Sequence, residues 1–462
     1  MSLQITEKEE LYKQYRKDTA TMSQDEVKKL DRPFTPLGKI ISALFMLLCI
    51  FALWQFTERA GQQWLALGGV MFVYLLIKEA FALLYRPCKS ELTRDYKVTA
   101  VITCYNENPS SVVSIFENIL ALDYPVHEIL FLDDGSADST AYEVAKSFAA
   151  DHENAPSAPE FQIIRFPQNR GKRAVMVDGF QMATGDYVFM LDSDSEILPN
   201  ALTELLRPFE DGETTSVVGN IGILDQNKRF LTKLQSITYY GAFQLGRAAQ
   251  SVSGNVVVCS GAFSIHKKAF ILENIDELKA DEFRGITVSS GDDRALTTFS
   301  KKSGGKTRYQ STAYCETDVP QNWKKFQSQR RRWKRSGYLM SLKAVRDIFP
   351  RKPLYLFWVF AETYLWLIAT IIFLISVAVN GFTLNLLDVV LYHCIMSYKH
   401  NAFFLLYKPL RFVFAPIYTF VYGISLLYTR IHAAVTITDD GWGTRAVATE
   451  EEGAINAVSM IN

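Results

Sequence analysis

The sequence predicts an α/β domain inserted between apolar helical segments. Between about residues 97 and 314, short β-prone runs alternate with amphipathic segments, the pattern of an α/β fold. Apolar runs long enough to span a bilayer lie before and after this region. Several of the short runs end in polar, turn-forming residues, and ligands bind at the carboxyl ends of strands in such sheets. We therefore expect the chemistry in the middle domain.

Composition narrows the functional classes. The chain has 462 residues, enough for two or three domains, and its 49 basic residues balance 49 acidic ones. Because a nucleic-acid-binding protein usually carries a basic excess, we expect no nucleic-acid partner. The six cysteines show no paired metal spacing, which favours a reduced, cytosolic catalytic domain.

The N-terminal part reads as a cytosolic segment followed by a membrane hairpin. Residues 1–35 are charged and lack a signal-peptide pattern. Residues 36–90 hold two apolar runs, Ile40 to Phe56 and Trp64 to Tyr85, joined by a short loop. Basic residues flank the pair, which predicts a transmembrane hairpin with both ends, and so the middle domain, in the cytosol. Two buried core helices are the alternative.

Residues 95–318 form the predicted α/β domain. Its first strand runs into the polar cluster Cys104 to Asn108, and the next strand ends in Asp133-Asp134-Gly135-Ser136. Either aspartate can accept a hydrogen bond from uracil or ribose, while glycine lets the backbone turn closely. An ordinary structural turn is the alternative.

A basic glycine turn follows, at Asn169-Arg-Gly-Lys172-Arg173, just before the helical run 174–182. Backbone N–H groups and a lysine charge at a helix start suit phosphate oxygens. The spacing is not that of the phosphate-binding loop of ATPases.

The next apolar strand, Tyr187 to Leu191, delivers the carboxylates of Asp192 and Asp194. It is apolar on both faces, as expected of a buried strand in a mostly parallel sheet. Carboxylates suit Mg²⁺ or Mn²⁺ shared with a diphosphate. Two solvated loop acids are the alternative, but the neighbouring strand ends and the basic turn favour a sugar nucleotide held with a metal.

The C-terminal part is first basic and then apolar. Residues 319–350 form an amphipathic, strongly basic stretch, which predicts interface helices on the membrane face. Residues 353–437 predict a C-terminal transmembrane region whose last stretch is re-entrant or forms paired short spans. Glu362 is expensive in lipid, so we expect it to face the bundle interior or a polymer channel, or to serve packing alone. Residues 438–462 contain a polar, glycine-flanked loop and a tail.

Ordered motifs along almost the whole chain resemble those of the processive family 2 glycosyltransferases, which make hyaluronan, chitin and cellulose. The similarity is greatest to bacterial, streptococcal-type hyaluronan synthases. The motifs are Asp133-Asp-Gly-Ser-Ala-Asp138, Asn169-Arg-Gly-Lys-Arg173, Asp192-Ser-Asp194, Arg247-Ala-Ala-Gln-Ser-Val-Ser-Gly-Asn255, Val258-Cys-Ser-Gly261, Ser290-Gly-Asp-Asp-Arg294, Tyr309-Gln-Ser-Thr-Ala313, Gln329-Arg-Arg-Arg-Trp333 and Trp442-Gly-Thr-Arg445.

The resemblance implies a GT-A fold, that of nucleotide-diphospho-sugar transferases, in the cytosolic domain. It also implies Mn²⁺ or Mg²⁺ as cofactor, with Asp194 as the metal ligand, and a loop that closes over the nucleotide. The substrate-binding residues that it implies are Tyr105, Glu107, Asp133, Asp134, Lys172, Asp192, Cys259, Trp442 and Arg445.

Sugar transfer also needs a base for the acceptor hydroxyl, and Asp293 is similar to the base of this family. A single base without a carboxylate nucleophile implies inversion, so that α-linked donors give β-linkages. Without the resemblance, Gly291-Asp292-Asp293 is a turn before a helix. The remaining catalytic residues implied are Asp292, Gln329, Arg332 and Trp333.

The resemblance gives specific roles to the basic stretch. Trp333 is similar to the platform on which the acceptor sugar stacks, and Arg332 to the cation that steadies the departing diphosphate. A surface helix is the alternative, and both roles can coexist. Cys259 falls on the acceptor side, although a bare cysteine of this kind is more often a core thiol.

Two departures bear on the product. Ser260-Gly261-Ala262-Phe263 stands where streptococcal-type enzymes have Ser-Gly-Pro-Leu, and Gln329-Arg330 where they have paired glutamines. The second form is similar to chitin synthases.

We therefore expect a multi-pass plasma-membrane enzyme that uses UDP-sugar donors, a growing polysaccharide acceptor and contacts with membrane lipids. Hyaluronan from UDP-GlcNAc and UDP-glucuronate is the first expected product. A chitin-like GlcNAc homopolymer, a lipid-acceptor transferase and a catalytically silent scaffold are the alternatives.

Overall fold

The computed structural model describes residues 36–60, 70–155, 157–224, 228–280, 282–283, 286–287, 290–380, 386–402, 404–407 and 409–438. Two expectations lie outside these residues. They are the cytosolic segment 1–35 and the closing loop with Trp442 and Arg445.

The described chain begins with two helices, continues as an α/β domain, and ends in a long helix followed by a second helical group. The elements are α1 (Pro36–Ala60), α2 (Val70–Leu84), β1 (Val98–Cys104), α3 (Pro109–Leu120), β2 (Glu128–Asp133), α4 (Thr140–His152), β3 (Glu160–Arg165), α5 (Lys172–Met182), β4 (Tyr187–Asp192), β5 (Glu196–Ile197), α6 (Ala201–Leu206), a 3₁₀ turn (Arg207–Asp211), β6 (Thr214–Ile223), α7 (Phe230–Tyr240), a π-helical turn (Gly241–Arg247), α8 (Ala248–Val252), β7 (Phe263–Lys267), α9 (Lys268–Glu273), α10 (Ile275–Lys279), β8 (Glu282–Phe283), β9 (Ile286–Thr287), α11 (Asp292–Lys302), β10 (Lys306–Thr317), α12 (Trp323–Ile348), α13 (Pro353–Asn380), α14 (Leu386–His400), α15 (Phe404–Tyr407), α16 (Pro409–Val413) and α17 (Ala415–Val435).

The domain is built on an eight-stranded sheet in the order β3-β2-β1-β4-β7-β6-β10-β5. The strands β3, β2, β1 and β4 run parallel, as the sequence predicts for a doubly covered sheet. Strand β7 runs antiparallel to both β4 and β6, so the sheet is mixed. The α/β prediction is confirmed, with this antiparallel strand at its centre.

Alternate residues of the central strands enter separate cores on the two faces of the sheet. Ile102 and Phe189 belong to the larger core, whereas Val101 and Met190 belong to the smaller one. Because helices cover both faces, these strands need apolar residues at every position, which explains their unbroken apolar runs.

Strand register brings the predicted polar clusters to one edge. Cys104 at the end of β1 pairs with Asp133 of β2, and Thr103 pairs with Asp192 of β4. The three strand ends therefore lie side by side at the carboxyl edge of the sheet, where a ligand site is expected.

The turn after β2 packs closely on the basic glycine turn. Gly135 has φ +64°, and a Cβ there would lie 2.4 Å from the backbone carbonyl carbon of Gln168. Only glycine allows both this conformation and this approach.

The long helix α12 lies against the start of α11 and against the C-terminal helices α13 and α17. Gly291, with φ +95°, precedes α11, and a Cβ on it would lie 2.1 Å from the Ser336 hydroxyl oxygen of α12. The absence of a side chain at Gly291 therefore lets the two helices meet.

The predicted apolar segments form helices α1, α2, α13, α14 and α17. Over the part of the chain that the structure describes, none of the helices reaches both the length and the apolar character of a membrane span. The transmembrane regions stay a prediction.

The Gly135 contact predicts a large loss of stability on substitution. Gly135→Ala adds a Cβ against unyielding backbone in a left-handed conformation, so we expect it to cost about 3 kcal/mol or more in the free energy of unfolding. Gly212→Ala is the matched control, since Gly212 has φ +75° and open space around it. We expect the control to cost about 1 kcal/mol. Thermal unfolding of the purified proteins compares them, and equal losses would contradict the packing argument.

Candidate active site

A cavity of about 510 Å³ connects the carboxyl edge of the sheet with α12 and the C-terminal helices. Its lining comes from the ends of β4, β6 and β10, the starts of α5 and α11, the segment from α7 to the loop before β7, residues 329–337 of α12, and the helices α13 and α17. The lining includes Lys172, Asp192, Asp194, Asp292, Asp293, Gln329, Arg332, Trp333, Glu362 and Tyr422.

Negative charge is concentrated at one end of this cavity. Lys172 donates to an Asp192 carboxylate oxygen at 2.6 Å, and the Thr317 hydroxyl donates to Asp194 at 3.2 Å. Burial, with the nearby carboxylates of Asp192 and Glu107, raises the pKa of Asp194 to about 7. We call this the donor end, because the turn at Lys172, which the sequence predicts to bind phosphate, lies here.

The donor end fits a divalent cation that shares its coordination with a substrate. Within the described residues, no group of three or more His, Cys, Asp or Glu side chains forms a complete metal site. Mg²⁺ commonly takes only one or two protein carboxylates, and the remaining ligands are phosphate oxygens and water. The crowded acids around Asp194 therefore suit such an ion, and the prediction of Asp194 as its protein ligand stays a prediction.

Asp133 and Asp134 hold the two neighbouring turns together. Asp133 is buried, lies 3.1 Å from the Arg165 guanidinium, and accepts hydrogen bonds from the amide and hydroxyl of Ser136. Asp134 accepts from the Arg170 amide at 2.7 Å. Both aspartates lie outside the cavity lining, and their role toward a nucleotide stays a prediction.

Tyr105 and Glu107 follow β1 and are half-buried. Glu107 is close enough to Asp194 to raise the pKa of that carboxyl, which places it beside the donor end. Neither side chain belongs to the cavity lining, so their contact with a nucleotide also stays a prediction.

Asp293 lies in the first turn of α11 and reaches the cavity. Its carboxylate accepts from the Arg294 amide at 2.8 Å. Burial raises the pKa of Asp293; Asp292 adds to this shift, whereas Arg294 and Arg247 oppose it. A carboxylate with a raised pKa accepts a proton more readily, which suits a general base.

Asp292, the preceding acid, forms an ion pair with Arg173 of α5. Both side chains are about nine-tenths buried, so the pair fixes the start of α11 against α5. The structure thus gives Asp292 a positioning contact, although it also borders the cavity.

Helix α12 presents Gln329, Arg332 and Trp333 to the cavity. The Trp333 side chain is 39 % exposed, and the Arg330 guanidinium lies 4.5 Å from the centre of its ring. An exposed indole face in a cavity suits the apolar face of a sugar.

Cys259 lies behind the cavity wall. Its amide donates to the Thr297 hydroxyl at 2.9 Å, its side chain is fully buried, and burial raises the pKa of its thiol to about 12. Its neighbours Ser260 and Ala262, rather than the thiol, line the cavity. Contact between Cys259 and an acceptor stays a prediction.

Sequence reasoning missed several lining residues. Arg247 lies within a quoted motif, and Lys334 directly follows Trp333, so motif context could have indicated both. Tyr239 and Tyr422 gave no such signal, because they come from helices far apart in the chain that only the fold brings together.

Comparisons with known proteins identify the family. Two family descriptions match, "Glycosyl transferase family 2" over residues 99–272 and "Glycosyl transferase family group 2" over residues 187–432. A hyaluronan synthase of Streptococcus pyogenes is 32% identical over 385 residues, which cover 83% of this chain and 91% of the relative. The chain belongs to glycosyltransferase family 2. It is therefore a glycosyltransferase, as the motifs predict.

Two further similarities are more distant. An N-acetylglucosaminyltransferase of Mesorhizobium japonicum is 29% identical over 54% of this chain and 57% of the relative. The solved structure of a mannosyltransferase from Pyrobaculum calidifontis, in complex with GDP-Man and Mn²⁺, superposes with a TM-score of 0.56 at 19% identity. That likeness covers 88% of this chain and 100% of the other, and it confirms the GT-A-like fold.

The electrostatics of Asp293 predict the pH dependence of UDP release. As the predicted base, Asp293 acts deprotonated, so we expect activity to fall as pH drops through its raised pKa. Arg247 favours the charged carboxylate, so we expect Arg247→Met to shift the acidic limb of the pH–rate profile to higher pH. Arg308→Met, which removes a partly buried arginine bound to Asp211, is the control and leaves the midpoint in place. A downward shift or no shift in Arg247→Met would contradict this electrostatic assignment.

The donor end predicts stabilisation by metal. A bound Mn²⁺ would reduce the repulsion among the carboxylates of the donor end and so stabilise the folded state. We therefore expect Mn²⁺ to raise the thermal unfolding midpoint of the purified protein at pH 8 by a few degrees. We expect Asp194→Asn to lose this response, and Asp138→Asn, at an exposed position outside the cavity lining, to keep it. An equal response in all three proteins would place the ion elsewhere.

Proposed function

We propose that this glycosyltransferase is a membrane-embedded, processive, inverting polymerase that makes and secretes a β-linked polysaccharide, hyaluronan from UDP-GlcNAc and UDP-glucuronate. One observation carries the proposal. A single cavity holds the acids of the donor end, Asp293 and Trp333, and continues to Glu362 and Tyr422 of the C-terminal helices.

The cavity supports direct displacement at the sugar C1. An acceptor sugar stacked on Trp333 brings a hydroxyl to Asp293, which takes its proton as the oxygen forms a bond to C1. The bond from C1 to the UDP oxygen breaks, and its electron pair leaves with the diphosphate toward Lys172 and Arg332. Asp194 would hold a divalent cation, which would supply further charge neutralisation for the diphosphate. Attack from the face opposite the leaving group inverts C1.

The continuation of the cavity supports secretion by the same chain. Glu362 of α13 accepts hydrogen bonds from the Tyr74 hydroxyl at 2.7 Å and from Lys78 at 2.8 Å. These contacts from α2 fix a polar group at the border of the cavity among otherwise apolar helices. Such a polar lining suits a sugar chain that moves away from the base.

Exposed apolar side chains support contact with membrane lipids. They cluster on α1, on the end of α12, on α13 and on α17, and a patch of this extent is uncommon on a soluble monomer. They include Leu44, Leu47, Leu48, Phe51, Trp54, Val345, Phe349, Phe360, Ile417, Phe420, Ile424 and Tyr428.

The product assignment rests on the relatives. The streptococcal hyaluronan synthases match over 91% of their own length. A GlcNAc homopolymer is the second candidate, favoured by Gln329-Arg-Arg-Arg-Trp333 and by the rhizobial N-acetylglucosaminyltransferases. Those relatives match over only about half of their length.

Donor pairing distinguishes the candidates. We expect purified protein with Mn²⁺ to make high-mass polymer only when UDP-GlcNAc and UDP-glucuronate are supplied together. Polymer from UDP-GlcNAc alone would favour the second candidate. Single sugar additions without polymer would favour a lipid-acceptor transferase.

Loss of the base should abolish turnover. Because a general base typically contributes about 100-fold or more, Asp293→Asn should lower the rate of UDP release by at least that factor. Asp276→Asn, in the short helix α10 away from the cavity, is the control. Undiminished UDP release in Asp293→Asn would reject the mechanism, and no release by the wild-type protein with any donor would favour a silent scaffold.

A further inference from the structure

One buried hydroxyl connects the predicted base with another wall of the cavity. It belongs to Thr297 of α11, whose side chain is fully buried. The hydroxyl donates to the main-chain carbonyl of Asp293 at 2.6 Å, one helical turn earlier, and it accepts a hydrogen bond from the amide of Cys259 at 2.9 Å. A single side chain therefore joins the first turn of α11 to a distant part of the chain.

The segment that Thr297 holds is part of the cavity wall. Residues 258–262 precede β7, and all of them line the cavity except Cys259, which is fully buried. We call these residues the wall loop. The Thr297 contact therefore reaches the wall loop from behind, at the member that does not face the cavity.

Further contacts fix both ends of the wall loop. At its start, Nε of Arg247 donates to the carbonyl oxygen of Val258 at 3.2 Å. Directly after its end, Phe263 of β7 pairs with Leu191 of β4, the strand that ends in Asp192. The wall loop thus extends from the strand that carries acids of the donor end to the helix that carries the predicted base.

Only one of the two hydrogen bonds of Thr297 is ordinary. A threonine hydroxyl inside a helix often donates to the carbonyl oxygen four residues earlier, as Thr297 does to Asp293. The bond from the Cys259 amide is different, because it comes from a separate segment. A buried amide that loses its acceptor is costly, so removal of the hydroxyl would favour movement of the wall loop toward another acceptor.

Movement of the wall loop relative to α11 would affect the proton transfer. The base has to lie within hydrogen-bond reach of the attacking hydroxyl of the acceptor. A misplacement of about 1 Å can lower the rate of an enzyme by about 100-fold. The wall loop borders the cavity in which the acceptor meets Asp293, so its distance from the start of α11 bears directly on this geometry.

We propose that Thr297 is a positioning residue that sets the distance between Asp293 and the wall loop, and so keeps the acceptor hydroxyl within reach of the base. The inference rests on the proposed function and deepens it by naming the residue that aligns the base with the cavity wall. Thr297 lies outside the cavity lining and acts through Asp293.

Removal of the hydroxyl alone tests the proposal in the full-length purified protein. Thr297→Val keeps the branched shape of the side chain. We expect the maximal rate of UDP release to fall about 10-fold, because the wall loop shifts relative to the base. The KM of each UDP-sugar should stay unchanged, since Thr297 does not contact the donor end. Thr297→Ser, which keeps the hydroxyl, should retain most of the wild-type rate.

A double-mutant cycle separates positioning of the base from general damage. If Thr297 acts through the base, its substitution has no catalytic carboxylate to displace in Asp293→Asn. Thr297→Val should therefore leave the residual rate of UDP release of Asp293→Asn unchanged.

Thr298→Val is the matched control. Thr298 is the next residue of α11 and is also buried, but its hydroxyl lies 3.4 Å from that of Tyr355 in α13. We expect this variant to keep the wild-type rate. Thermal unfolding is measured for every variant. Should Thr297→Val not fold, Thr297→Ser and Thr297→Ala make the same comparison, because they differ only by the hydroxyl.

Several results would overturn the positioning role. They are a wild-type rate in Thr297→Val, a loss confined to KM, an equal loss in Thr298→Val, or the same fractional loss in the Asp293→Asn background. Undiminished UDP release in Asp293→Asn is a different failure, since it rejects the base and with it the proposed function. A wild-type rate in Thr297→Val beside a strongly impaired Asp293→Asn rejects this inference alone.

Discussion

The close contact between Gly291 and Ser336 holds Asp293 and Trp333 at the same cavity. Because Gly291 has no Cβ, the start of α11 lies directly on α12, and Asp293 and Trp333 enter the same cavity. Helix α12 also packs against α13 and α17. A single helix thus links the chemistry at the sheet edge to the helices through which we propose that the product leaves. A side chain at Gly291 would push α11 away from α12 and so would move Asp293 away from Trp333.

Acidic groups crowd the donor end of this cavity, where burial and the carboxylates of Asp192 and Glu107 raise the pKa of Asp194. The buried acid Asp292, which also borders the cavity, is instead paired with Arg173. Because strongly perturbed carboxylates cluster at functional sites, we propose that the acids of the donor end serve a metal shared with a diphosphate.

Much of the sheet and part of the site could be predicted from local sequence. The apolar runs before Asp133 and Asp192 form buried strands that pair in parallel with β1, which brings their ends together. These strands could be predicted because an apolar run and the turn residues that end it lie within a few residues of one another in the sequence. The antiparallel course of β7 was not predictable, since it depends on pairing with β4 and β6. The burial of Cys259 agrees with the core thiol that a bare cysteine predicts, and Thr297 of a distant helix holds its segment. The aromatic rings around the Arg330 guanidinium, those of Tyr239, Trp333 and Tyr422, come from α7, α12 and α17. Only the tertiary structure brings them together. Family resemblance supplied the roles of Asp293 and Trp333, which spacing alone could not give.

The proposed mechanism, in which Asp293 is the base and the acceptor attacks opposite the leaving diphosphate, permits only one stereochemical course. Proton NMR determines the anomeric configuration of the first linkage formed from an α-linked UDP-sugar, and this measurement does not depend on the length of the polymer. We expect a β-linked product with the large axial coupling of its anomeric proton. An α-linked product would require a second displacement by a nucleophile other than the acceptor, and would contradict the role of Asp293 and the arrangement of the cavity around it.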